Sequence, residues 1–553
     1  MSSKLKILMV SEASFLSSGF GTYTKELLSR LQSTGKYEIA EFACYGKVND
    51  PKDSSITWRY YANAVDPSDP RHSQYNGSME NQFGRWRFER VLLDFKPDVV
   101  IDIRDYWMNS YQQVSPLRPF FHWILMPTVD SAPQQEEWID TFLNADAIFT
   151  YSDFGRDTLR QQSNNKINYI DTTSPGINLE TFRPLVNRDE IKKVMGLENA
   201  FVVGSIMRNQ KRKLIPELFV VFKKLLNDYK ESNNPAGENI YLYLHTSYPD
   251  AGWDIPQLLK EYEIGNKVLF TYSCKSCNFL RPCLFQHPVT FCPKCGNYSF
   301  SMPNVSNGLT QEDLNTIINT FDLYVQYAIC EGFGMPQVEA AACGVPVASV
   351  DYSAMSDVVQ KLNGFPVRVK HFFKELETKA IRVYPDNDHL VEIIKNYIAI
   401  PDILKNQKRH ETRQLVEKHY DWNIIAQKWE NYLDNITLTN YQGKWDTRLP
   451  LITSLTELDK HKNPYDMIVD WVAKNIQDNQ IATSMILLNM IRDLDYGFAI
   501  NGMNTQPYNI DNVKQVFESL INNHNITMQA KDNPELLSPE DFILYADMKD
   551  QTK

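Results

Sequence analysis

The chain has little cysteine for its length, no excess of basic residues and no long apolar run. Eight cysteines in 553 residues are too few, and too clustered, for the disulfide framework on which small secreted domains depend. A net charge of −11 argues against a broad nucleic-acid-binding surface, which is normally basic, though it is compatible with a local basic groove. No stretch approaches the about 20 apolar residues of a membrane span. The opening residues, Met1-Ser-Ser-Lys-Leu-Lys-Ile-Leu-Met-Val10, have too short an apolar part for a secretory leader and no small-residue cleavage site, so they read as a first strand. Neither an internal repeat nor a low-complexity tract long enough to force disorder is present. What is there is the profile of a soluble, globular chain, 43% hydrophobic and 23% charged, long enough for two or three domains. A cytoplasmic location is expected.

Strand-like runs alternate with helical patterns almost from the first residue. Lys6–Ser11 reads as a strand, and Thr22–Gln32 as a helix with Tyr23, Leu27, Leu28 and Leu31 on one face. Further strands are expected at 97–103, 121–126 and 147–151. A second series begins at 201–207, with a helix over 215–229 and strands at 240–245, 268–272, 323–327 and 346–350. Such alternation implies βαβ units and parallel sheets covered on both faces. The expected class is α/β, with two doubly wound, Rossmann-like domains and a ligand cleft between them at the carboxyl ends of the strands. The junction is expected near Pro184–Asp189, giving domains over 1–187 and 188–440. A helix over 421–438 is expected to pack back towards the N-terminal domain. Residues 441–553 read as a helical appendage, with helical text at 465–494 and 512–522.

The most informative stretch is Glu331-Gly-Phe-Gly-Met-Pro-Gln-Val-Glu-Ala-Ala-Ala-Cys-Gly-Val-Pro346. It sets two carboxylates, Glu331 and Glu339, around a glycine turn between a buried strand (322–328) and a helix. Gly332 and Gly334 let the backbone turn and approach a ligand closely. Pro336 suits the first helical turn, where its missing N–H is not needed. Free amides and the positive end of the helix dipole suit a diphosphate there. The stretch resembles the donor-site signature of retaining GT-B glycosyltransferases of the family 4, or group 1, type. Other motifs follow the family's order. They are the glycine loop Ser17-Ser-Gly-Phe-Gly-Thr22, the passage Ser174-Pro-Gly-Ile-Asn-Leu-Glu-Thr-Phe-Arg-Pro184 and the basic loop Gly204-Ser-Ile-Met-Arg-Asn-Gln-Lys-Arg-Lys213.

The resemblance implies a hexosyltransferase of GT-B fold. It would move a sugar, with retention, from a nucleoside diphosphate sugar to a hydroxyl acceptor on a saccharide, protein, lipid or modified nucleic acid. Glu331 would contact the donor sugar, and Glu339 the ribose hydroxyls, for which a carboxylate is a good acceptor. Phe333, Gly334 and Met335 would offer amides to phosphate and sugar oxygens. Arg208 and Lys213, with the family's spacing, would neutralise the departing diphosphate, and fixed cations there lower the barrier directly. Lys211 and Arg212 are alternatives for a share of that role. Gly19 and Gly21 would lie near the diphosphate and the acceptor. Where many relatives end a first-domain strand with a His-Asp pair, this chain has Phe121-His-Trp-Ile-Leu-Met-Pro-Thr-Val-Asp-Ser131. His122 falls at the wrong end of that strand, which makes Asp130 the candidate on this side. No Asp-x-Asp pair is read at a strand end as a metal–diphosphate site, in agreement with metal-independent transfer, and no catalytic metal is expected.

Cys274-Lys-Ser-Cys277 and Cys292-Pro-Lys-Cys-Gly296 are two Cys-x2-Cys hooks with 14 residues between them. Four thiolates so placed make the closed tetrahedral site of structural zinc. An insertion over 274–303, too small to build its own core, needs such a staple. A zinc ribbon with Cys274, Cys277, Cys292 and Cys295 as ligands is expected, with Cys283 and His287 as alternatives for one position. Cys44, Cys330 and Cys343 read as buried small residues. Two other readings use the same residues. One is a nucleic-acid-associated protein that works through the ribbon, with a modified base as sugar acceptor. The other is a same-fold sugar-nucleotide epimerase or hydrolase. Intact Glu331, Glu339, Arg208 and Lys213 disfavour a scaffold without catalysis.

Overall fold

The computed structural model describes residues 4–438, apart from 17, 48–55, 114, 116 and 305–307, together with 445 and 529. The helical readings at 465–494 and 512–522 lie outside the described residues. Two sheets organise the rest. The first contains β1 (Leu5–Glu12), β2 (Tyr37–Cys44), β3 (Arg59–Ala62), β4 (Val99–Asp102), β5 (His122–Leu125), β6 (Ala147–Thr150) and β7 (Ile170–Thr172). Its order is β3-β2-β1-β4-β5-β6-β7, with every pairing parallel. Helices cover both faces of such a sheet, so its central strands are apolar without alternation. Ile7, Leu8, Met9 and Val10 are all fully buried, as are Val99, Val100 and Ile101.

The second sheet contains β8 (Phe201–Ile206), β9 (Ile240–His245), β10 (Val268–Cys274), β11 (Leu280–Leu284), β12 (Val289–Phe291), β13 (Tyr298–Ser301), β14 (Leu323–Gln326), β15 (Val347–Val350) and β16 (Phe365–Val367). The run β10-β9-β8-β14-β15-β16 is parallel and repeats the topology of the first sheet. In both sheets the order reverses next to the first strand, between β1 and β4 and between β8 and β14. Loops leaving a reversal point diverge and leave a crevice, the usual ligand site of open α/β sheets.

Three features depart from the sequence reading. Strands β2, β3 and β7 were not anticipated. Glu41, fully buried in β2, breaks the apolar pattern there. Its carboxyl accepts from the Ser14 amide at 2.7 Å, the Ser14 hydroxyl at 2.8 Å and the Trp58 indole at 2.7 Å, so a polar group sits in the core with its hydrogen bonds made. The cysteine-rich insertion does not stand apart. It grows from the free edge of β10, which pairs antiparallel with both β11 and β13, and β12 extends the sheet beyond β13.

A separate hairpin, β17 (Val369–Lys374) and β18 (Ile381–Pro385), follows the second sheet. Asp386-Asn387-Asp388, which directly follows β18, is an Asp-x-Asp pair at a strand end. Asp386 caps the next helix, accepting from the amides of Asp388 and His389 at 3.1 and 3.2 Å. Asp388 pairs with Lys224. Both carboxylates therefore serve the fold.

The helix Trp422–Asn435 crosses back to the first sheet's layer. There the Trp429 indole donates to the Tyr23 hydroxyl at 2.9 Å, and that hydroxyl donates to the Thr173 carbonyl at 3.0 Å. Among the described residues no helix is long and apolar enough to cross a membrane.

Candidate active site

A cleft of about 840 Å³ lies between the two sheets. One wall comes from the first sheet's strand ends: Glu12 at the end of β1, Gly19 and Phe20 at the start of a helix, Asp105 after β4 and Thr128 after β5. The other comes from Arg208 after β8 and from Gly332, Phe333, Met335 and Glu339 after β14, while Trp422 of the returning helix also borders it. The two reversal points thus face each other across one space.

Glu331 lies just behind the second wall and is buried. Its carboxylate accepts from Lys213 Nζ, from Arg212 Nη1 at 2.9 Å and from Gln326 Nε2 at 2.9 Å. Burial alone would raise this carboxyl, but the two cations outweigh it and hold it below its ordinary value. Lys213 is itself buried, which lowers its ammonium against the pull of Glu331. The two basic residues singled out by spacing therefore part company. Arg208 reaches the cleft with half its side chain exposed and pairs with Asp250 at 3.0 and 3.1 Å. Lys213 does not line the cleft and is committed to Glu331, a commitment shared by Arg212, one of the alternatives.

The turn between them is built from glycine for two separate reasons. Gly334 has φ +87°, in the left-handed region, and caps the helix Met335–Ala342. A Cβ on Gly332 would stand 2.4 Å from Thr128 Cγ2 of the opposite wall, so the two domains touch through a position that accepts no side chain. Glu339 lies in the first turns of the helix, deep in the protein but with part of its surface on the cleft. Burial pushes its carboxyl up to about 7. Phe333 and Met335 line the cleft beside it.

On the first-domain side, Gly19 opens the helix Gly19–Ser33 and lines the cleft, with free space where a Cβ would stand. Gly21, two residues into that helix, is pressed against the backbone, with the Leu16 and Ala13 carbonyls 2.6 and 2.8 Å from a Cβ position. Asp130 is not at the cleft lining. It forms an ion pair at 2.9 Å with Arg382 of β18, also accepts from Ser131 at 2.8 Å, and receives the Cys330 thiol at 3.3 Å. It thus ties the two domains together beside Glu331. His122 begins β5, at the end remote from the cleft, and contacts the Tyr432 hydroxyl at 2.9 Å.

Sequence reasoning missed Glu12, Asp105 and Thr128. Burial pushes the Asp105 carboxyl up to about 6, against a hydrogen bond from Thr128. The available signal was positional, since Asp105 follows a strand at the reversal point.

The four hook cysteines converge. Two sulfurs on a tetrahedral zinc at about 2.3 Å lie about 3.8 Å apart. Cys274 and Cys295, like Cys277 and Cys292, stand 3.7 Å apart, and all four sulfurs lie within 4.8 Å of one another. The donor set and its spacing fit such an ion. Cys283, on β11, is outside this cluster.

Residues 304–400 match the family model for glycosyl transferases group 1. That segment contains the Glu331–Glu339 motif. No curated protein sequence matches the chain significantly. Solved structures do resemble it. Sucrose-phosphate synthase from Thermosynechococcus elongatus aligns at 17% identity and a TM-score of 0.57, covering 78% of this chain and 98% of that one. A glycosyltransferase from Rickettsia africae ESF-5 aligns at 14% and 0.54, covering 78% and 100%. Anabaena HepE, solved with UDP and glucose, aligns at 13% and 0.53, covering 78% and 100%. At such identities the likeness is one of fold.

The fold is GT-B. In this GT-B frame the group 1 segment supplies the Glu331–Glu339 wall, while Arg208 and the whole first-domain wall fall outside the matched residues.

Proposed function

We propose that the protein is a retaining hexosyltransferase that moves a sugar from a nucleoside diphosphate sugar to a hydroxyl acceptor. The observation that supports this reading best is the meeting of the two reversal points at one cleft, with a cation and a helix N-terminus on one wall and an acidic wall opposite. In this reading the diphosphate lies against Arg208 and the amides of Phe333, Gly334 and Met335, where helix dipole and guanidinium both favour negative charge. Glu331, kept ionised by Lys213 and Arg212, presents its negative charge to the sugar from just behind the lining. Glu339 accepts from the ribose. The sugar faces Gly332 and Thr128, and Asp105 orients the acceptor hydroxyl.

Transfer then breaks the bond between the anomeric carbon and the diphosphate oxygen while the acceptor oxygen bonds to the same face of that carbon. The acceptor proton ends on the departing diphosphate. Negative charge grows on the leaving group, so pre-placed cations stabilise the transition state more than the ground state. Glu331, tied to two cations behind the cleft lining, is not assigned as a covalent nucleophile. The UDP and glucose bound to Anabaena HepE are the model for the class of donor. Zinc held by Cys274, Cys277, Cys292 and Cys295 is structural, since four thiolates leave it no open position. The buried free thiols of Cys44, Cys330 and Cys343 suit a reducing compartment, and we place the activity in the cytoplasm.

The test is a thermal-shift screen of UDP-, GDP- and ADP-sugars. A ligand that binds only the native state raises the midpoint with its occupancy. If no nucleotide sugar stabilises the protein or is turned over, the proposal fails.

A further inference from the structure

Arg208 carries a long side chain at an open cleft, and a phosphate-binding guanidinium loses affinity if it must first be ordered. The structure fixes it through Asp250, which receives Nε at 3.0 Å and Nη2 at 3.1 Å and is itself held by the Ser247 hydroxyl. The loop carrying Asp250 is pinned from within by Asn209, whose side chain bonds both the N–H and the carbonyl of Trp253 at 2.8 Å. From without it is met by the cysteine-rich insertion. The Phe285 ring packs edge-on against Tyr248 of this loop, with centroids 5.8 Å apart, and against Phe270 of β10 at 5.7 Å.

Phe285 directly follows β11, whose hairpin with β10 is closed by the hook Cys274–Cys277. β11 buries little of its own: of its five residues only Pro282 is buried. Beyond it, Phe291 and Tyr298 are 67% and 63% exposed. Phe300 and Met302 join the second sheet's core, but a ribbon whose outer residues lie this open holds its shape through the cysteine cluster.

We infer that the ribbon is a positioning element for the donor site, transmitting the order of its cysteine cluster through Phe285, Tyr248 and Asp250 to Arg208. This rests on the donor-site reading above. Phe285, Tyr248 and Asp250 are positioning residues, and none of them is required to touch the donor.

The experiment is calorimetric titration of the metal-bearing full chain with UDP, GDP, ADP and inorganic diphosphate. Wild type is compared with Phe285→Ala, Phe285→Leu, Tyr248→Ala, Arg208→Ala and the Phe285→Ala/Arg208→Ala double variant. For the nucleotide that binds wild type, Phe285→Ala and Tyr248→Ala should each weaken binding about three- to tenfold, and Phe285→Leu should restore most of it. The double variant should bind within about twofold of Arg208→Ala alone, because a contact that acts only through Arg208 has nothing left to act on. Stripping the metal should reproduce the Phe285→Ala loss in wild type and add nothing in Phe285→Ala. Wild-type affinity in both Phe285→Ala and Tyr248→Ala overturns the inference, as do losses that multiply in the double variant. If Arg208→Ala weakens binding while the ribbon variants are silent, the donor site stands and the ribbon's role falls. If no probe binds wild type, both fall.

Discussion

Replacing Glu339 by Gln should abolish a pH dependence of donor affinity that the wild-type cleft imposes. Burial lifts this carboxyl from its ordinary range to about 7. An ionised carboxylate accepts from both ribose hydroxyls, whereas the protonated form presents an O–H on one side. With a folded pKa of about 7, roughly one-eleventh of the free protein is ionised at pH 6 and ten-elevenths at pH 8, so affinity should rise about tenfold across that interval. A nucleotide sugar is the right ligand, because a phosphate monoester titrates near pH 6 and would confuse the profile, while the sugar-linked diphosphate has no such proton. The same shift affects stability. Between the unfolded and folded pKa values the folded state binds more protons, so the stabilisation is fully present below about 4.5 and is lost as pH rises through about 7. That amounts to about 2–3 kcal/mol between pH 5 and pH 8, which Glu339→Gln should not show in parallel urea titrations. Calorimetry at pH 6, 7 and 8 is the decisive assay. A flat wild-type profile would mean that the carboxylate is not desolvated, and an unweakened Glu339→Gln at pH 8 would remove it from the ribose.

Glu331→Gln should lower the initial rate of transfer about 100- to 1000-fold, and it should also lower the melting temperature, because it leaves the buried Lys213 without its counter-charge. Full activity in this variant would take Glu331 off the site. Asp130→Asn separates two roles: loss of the 2.9 Å pair with the buried Arg382, which keeps Glu375 as a second partner at 2.9 Å, should cost about 1 kcal/mol of stability but change kcat less than about tenfold, and the reverse pattern would make Asp130 catalytic. Chelation should release one zinc per chain, with amides of 274–303 losing protection in hydrogen exchange before those of β8 and β9; simultaneous loss would show that the insertion is not separately stapled.

The parts of this fold that could be read from the chain are those where burial is two-sided and local. β1, β4, β8 and β9 are continuous apolar runs because helices cover both their faces. The cysteine hooks announce themselves because their geometry is fixed by short-range spacing. β2 escaped because its Glu41 is hydrogen-bonded by Ser14 and Trp58, partners that only the folded chain supplies. The β17–β18 hairpin escaped because most of β17 is exposed and so carries no two-sided pattern. The same division holds at the site. The Glu331–Glu339 motif was legible as a contiguous turn. Asp105 was not, since nothing local distinguishes it from any other acid after a strand, and its perturbed carboxyl is a product of burial, with Asp130 and Glu12 of its own domain adding to it.

The two carboxylates of the motif differ in kind, and the difference follows from what stands behind each. Glu331 is fully enclosed yet has two cations and an amide on its oxygens, so enclosure strengthens those attractions and keeps it charged. Glu339 is enclosed with no cation among the causes of its shift, so enclosure only disfavours its charge. A residue already ionised presents a fixed charge behind the wall that the sugar faces, with no proton to move first. A residue poised near neutrality gains its charge when hydroxyl donors arrive, so that binding of the ribose would itself draw the proton off. Spacing puts both acids at one helix N-terminus, but Lys213 and Arg212, 118 and 119 residues before Glu331 in the chain and brought beside it only by the pairing of β8 with β14, decide which of them stays charged.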